Sequence, residues 1–159
     1  MKRLFLCVFL LIWAGACQRL DRRAFDGVEK ASRALQTAVD SQTSLPTYRQ
    51  LLSTYVTELA AVRGRVSNAP ERAVLAEYEA ALKGLSDLQL VWEDKEARGS
   101  EMLPIRDELP ARIAREYELG VNTNEPPSIY ATEALHRVWE TARVHLRAAH
   151  TALGFELRL

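Results

Sequence analysis

The residues best suited to chemistry cluster near the C-terminus. Glu133 and His136 form a Glu-x-x-His step, and Glu140 follows one turn later. Carboxylate and imidazole at that spacing share a helix face, and two such steps build di-iron sites inside helical bundles. The second step is missing here. Ala142 stands three residues before His145, and Arg147 three before His150. With Leu135 and Trp139 as core positions, Glu133 and Glu140 fall on the outer face and His136 on the flank. Their expected role is local surface pairing. A haem would need an inward-facing axial His or a Cys-x-x-Cys-His attachment. No such Cys motif occurs, and His145 and His150 both read as flanking the apolar seam. No G-x-S-x-G, Walker A or H-E-x-x-H motif occurs either. The chain is therefore expected not to be an enzyme and to hold no cofactor. The alternative reading is a bundle whose interior binds a small ligand, a metal or a haem.

Binding residues are a second possibility. Arg137, Arg143 and Arg147 lie along the same segment, with His136, His145 and His150 between them. They form a candidate stripe for an acidic protein partner, against the plainer reading of a solvated face. The loop from Val121 to Pro127 carries Asn122 and Asn124 and is stiffened by Pro126 and Pro127. It can present a binding edge or simply turn the chain. Tyr48, Tyr55, Tyr78, Trp92 and Trp139 recur at helical spacing and read as core. With 21 basic and 21 acidic residues, the chain lacks the charge excess of a phosphate-neutralising nucleic-acid binder.

The elements that must position these residues are helices. Apolar residues recur at alternating spacings of three and four through most of the 159 residues. A first helix is expected from Asp21 to Ser41, with Ala24, Val28, Ala31, Leu35 and Ala38 on its seam. A second runs from Ser44 to Val66 through Tyr48, Leu52, Tyr55, Leu59, Val62 and Val66. A third starts after Asn68, with Glu71 completing a capping box, and continues to Arg98 before Gly99. A short helix starts near Asp107, so that Pro110 falls in its first turn. The last runs from Ile129 to Leu153, capped by Ser128 and ended by Gly154. Its seam is Leu135, Trp139, Ala142, Leu146, Ala149 and Leu153. The expected fold is all-α: an antiparallel four-helix bundle with an additional short helix in the connection before the last long helix. The tail Phe155–Leu159 alternates apolar and polar residues and either docks or frays.

The N-terminus reads differently. Lys2 and Arg3 precede an unbroken apolar run from Leu4 to Trp13, followed by Ala14, Gly15 and Ala16. This is the layout of a secretory signal, and it is too short for the roughly 20 apolar residues of a membrane span. The segment Ala14-Gly15-Ala16-Cys17 resembles the lipobox of bacterial lipoproteins, although Ala14 stands where Leu is commonest. The resemblance covers only residues 1–17 and implies cleavage before Cys17 and lipid on its sulfur. Gln18 after the cysteine resembles an outer-membrane sorting signal. The expected layout is a cleaved signal at 1–16, a lipid-anchored tether at 17–23 and one helical domain at 24–159. Arg19, Arg22 and Arg23 would then lie at the lipid headgroups. The mature chain has 143 residues (159 − 16), a formal charge of about −2 once Lys2 and Arg3 are lost, and no free thiol. These readings imply an exported protein on a bacterial membrane, facing the periplasm from the outer membrane. Its partners would be membrane lipid and an unknown protein.

Overall fold

The computed structural model describes residues 20–154. Cys17, Arg19, the leader and the tail from Phe155 lie outside them. The chain is mostly helical. A 3-10 turn at Arg22–Phe25 leads into α1 (Asp26–Asp40), and α2 (Leu45–Arg63) and α3 (Ala69–Arg98) follow after short breaks. Next come β1 (Met102–Pro104), α4 (Glu108–Glu116), β2 (Ser128–Tyr130) and α5 (Ala131–Leu153). β1 and β2 pair antiparallel, with Leu103 opposite Ile129.

Local chemistry sets most of the boundaries. Asn68 and Glu71 form the expected capping box, with the Glu71 amide donating to Asn68 Oδ1 at 2.9 Å. Pro46 and Pro110 lie in the first turns of α2 and α4, where a missing N–H breaks no helical bond. Gly99 and Gly154 end α3 and α5 at φ 58° and 68°, a left-handed conformation that costs glycine little.

Burial then orders the helices. α2 buries Tyr48, Leu52, Tyr55, Leu59 and Val62. The Tyr48 and Tyr55 hydroxyls donate to the carbonyls of Leu85 and Tyr78 at 2.9 Å, so both phenols enter the core with their polar ends satisfied. The most extensive helix–helix contact joins α3 and α5. Gly84 meets Ala142 there, and a Cβ on Gly84 would stand 2.9 Å from the Ala142 Cβ. Asp21 donates its amide to Glu71 at the start of α3, and Arg22 lies against Gly154 at the end of α5. The starts of α1 and α3 therefore gather at the same end as the close of α5.

The structure changes several expectations. Ser128 belongs to β2, and α5 starts at Ala131. Strands of three residues carry too little alternation to be read from sequence. Phe25 at the close of the 3-10 turn, not Ala24, is the first fully buried residue of the N-terminal segment. α2 stops at Arg63, leaving Val66 half-buried in the turn. On α5, Ala134 and Val138 are fully buried while Leu135 is only partly so. α5 packs against both α3 and α1, so its buried face is wider than a single seam. Asp21, Arg22 and Arg23 are not free tether: the Asp21 carboxylate caps the 3-10 turn by accepting from the Arg23 amide.

Candidate functional site

The most concentrated polar chemistry is internal. Glu29 and Ser32 on α1, Tyr78 on α3 and His150 on α5 are all buried. Glu29 Oε2 lies 2.6 Å from His150 Nε2 and accepts from the Tyr78 hydroxyl at 2.9 Å. Arg33 reaches the other carboxylate oxygen from the helix surface. Ser32 Oγ stands 3.2 Å from the same His150 nitrogen and donates to the Glu29 carbonyl at 2.7 Å. Burial pushes the Glu29 carboxyl up, but the bonds from His150, Arg33 and Tyr78 outweigh it and hold the group below its ordinary value. A Ser-His-acid relay needs serine and acid on opposite imidazole nitrogens. Here both converge on Nε2, which makes the cluster a cross-link of three helices.

His150 was expected to flank the seam, and that expectation is overturned. It is 1% exposed. It follows Leu146 by four residues and precedes Leu153 by three, so it completes a stripe with two core leucines. His145 does sit at the margin, where Nδ1 meets Glu77 of α3 at 2.8 Å.

A second knot holds α4. Asp87 on α3 is buried and accepts from the Tyr117 hydroxyl at 2.6 Å, Arg112 at 2.7 Å and Lys83 at 2.9 Å. Glu116 closes the knot through Lys83 and Arg112. Burial raises the Asp87 pKa, but the bonds from Arg112, Tyr117 and Lys83 bring it below the usual carboxylate value.

The residues singled out from sequence are scattered. Glu133 and His136 are exposed, and Glu140 turns to Arg143 at 2.6 Å. No group of three His, Cys, Asp or Glu side chains suited to a metal lies among the described residues. Arg137 is exposed, whereas Arg143 and Arg147 are half-buried. The Arg143 Nε is buried without a partner among the described residues. The three arginines thus do not present one even stripe. Asn122 is tied into its loop, exchanging backbone hydrogen bonds with Ser128 at 2.8 and 3.0 Å and accepting from the Asn124 amide at 3.0 Å. Asn124 itself is exposed.

The end of the fold nearest Leu20 has its own character. Arg23 and Arg65 line a polar hollow of about 520 Å³ with Asp21, Ser67, Asn68 and Glu71. Neither arginine pairs with a carboxylate among the described residues, and both are exposed. Arg72 lies close by, bonded to the Ser67 carbonyl at 2.8 Å. Arg65 and Arg72 join the cationic end only through the fold, from 40 residues or more down the chain, and the sequence reading missed them. Arg22 instead lies against the C-terminal end of α5, where the helix dipole favours a cation.

Comparison with family models, curated proteins and solved structures finds no match.

Proposed function

We propose that the chain is a lipid-anchored lipoprotein of the bacterial cell envelope, an antiparallel four-helix bundle that serves as an interaction or structural module. The observation that carries this reading is the lipobox-like Ala14-Gly15-Ala16-Cys17 behind a basic and apolar leader. Geometry supports it. Only Gln18, Arg19 and Leu20 separate Cys17 from Asp21, the cap of the first turn. Four extended steps reach at most about 14 Å. The end carrying Arg22, Arg23, Arg65 and Arg72 would therefore lie close to the headgroups, where each free basic side chain adds about 1 kcal/mol against anionic lipid. α5 starts at the opposite end, so the loop with Asn122 and Asn124 would project away from the bilayer toward a protein partner. Gln18 supports an outer-membrane address facing the periplasm. No helix of the described residues is long and apolar enough to cross a membrane.

The test is Cys17→Ser expressed in a bacterial host with an alkyne-tagged palmitate. Parent protein should take the label and sediment with membranes. The variant should lose the label and leave the membrane fraction. Equal labelling of both would refute the anchor.

A further inference from the structure

A cleft of about 420 Å³ opens at the end of the fold remote from Leu20. Its apolar wall is Leu88 and Trp92 of α3 with Leu135 and Trp139 of α5. Its polar rim is Gln42, Lys95, Thr132 and His136, with Glu101 behind it bonded to both Lys95 and Thr132. The volume falls within the roughly 300–1,000 Å³ of small-molecule sites, and apolar walls with a few converging polar groups are their usual make-up. The cleft exists because α1 stops at Asp40. Its other end is bound to α5 through Glu29 and His150, while Val39 and Gln42 at its close line the cleft opposite Thr132, Leu135 and His136.

We propose that this cleft binds a small amphipathic acid, its apolar body on the indoles and its carboxylate or phosphate between Lys95 and His136. An ammonium has three N–H donors. Glu101 takes one and Thr132 faces another at 3.5 Å, which leaves one for a ligand oxygen. His136 stands exposed at the mouth. Gln42 adds an independent sign. It occupies the left-handed position after α1 at φ 51°, with its amide bonded to the Val39 carbonyl and the Thr43 amide to the Ala38 carbonyl. Glycine is the usual residue in that helix-ending arrangement. Glutamine is strained there but places an amide donor and acceptor on the rim.

The chain has three tryptophans, and apart from Trp13 in the leader both line the cleft. In the full chain carrying Trp13→Phe, indole emission therefore reports on this site alone. The probes are decanoate, decanol and decylammonium, each below its micelle-forming concentration. Decanoate should shift the emission saturably. Decanol should bind about tenfold more weakly, the worth of one charged hydrogen bond, and decylammonium more weakly still. Lys95→Met should remove the advantage of decanoate and leave decanol unchanged. His136→Ala, at an exposed position that the fold does not need, should weaken decanoate several-fold. Gln42→Gly should weaken decanoate while raising the thermal midpoint. An unchanged emission with decanoate, equal binding of the three probes, or full decanoate affinity in both Lys95→Met and His136→Ala would overturn the proposal.

Discussion

Replacing Glu29 and His150 by leucine, singly and together, gives the sharpest test of the internal cross-link. Glu29→Leu takes the carboxylate from His150 Nε2 and from the Tyr78 hydroxyl, both buried. Each buried polar group left without its partner costs about 1–3 kcal/mol, and with two such groups we expect about 4 here. His150→Leu leaves Glu29 with Arg33 and Tyr78, and Ser32 keeps its bond to the Glu29 carbonyl. We expect about 2–3 kcal/mol for that change. The double variant removes both partners together and leaves chiefly the Tyr78 hydroxyl unpaired. It should lose about 4 kcal/mol in all, which makes the coupling about 2–3 kcal/mol. Urea unfolding followed by far-ultraviolet circular dichroism measures all four proteins, and the m-value should stay constant. Losses that add to within about 0.5 kcal/mol would refute the cross-link. The pH dependence has a definite sign. Glu29 is held below 4.5, its unfolded value, so its contribution is complete above that pH and is lost as pH falls through the folded value. Asp87 behaves alike relative to 3.8. The parent should therefore lose stability on acidification below about pH 4.5, and Glu29→Leu should lose less of it.

Other consequences concern single positions. Gly84→Val should cost about 1–3 kcal/mol by crowding Ala142, and Ala142→Gly should restore part of the loss in thermal unfolding. Gln42→Gly should raise stability by about 1 kcal/mol by relieving a left-handed non-glycine residue, and a drop would contradict that strain. Asp87→Ala strips Tyr117 and Arg112 of their buried partner and should cost about 2–3 kcal/mol. Hydrogen exchange should then rise first in α4, and a uniform rise across the long helices would contradict the pinning of α4 by Asp87.

The helices were legible because their signals are local. The Asn68–Glu71 box, Pro46, Pro110, Gly99 and Gly154 mark boundaries within a turn, and the tyrosines of α2 repeat at unbroken spacing. The polar core was harder to see. Glu29 and Ser32 lie on α1 and His150 lies on α5, 118 residues after Ser32, and charge argued for the surface until their mutual pairing was known. His150 still carried a signal, its place in line with Leu146 and Leu153. The small sheet and the cleft had none. Strands of three residues carry too little alternation to read, and the cleft depends on where α1 ends relative to α5, which is a tertiary fact. The cationic end was half legible: Arg22 and Arg23 stand beside the lipobox-like segment, while Arg65 and Arg72 reach it only through the fold.

Intact mass and N-terminal peptide analysis of the protein purified from bacterial membranes would show whether Cys17 is the lipid-bearing first residue. The chain should begin at Cys17, run for 143 residues (159 − 16) and carry the mass of acyl chains on that cysteine. A chain that begins elsewhere, or one with an unmodified thiol at Cys17, would contradict it.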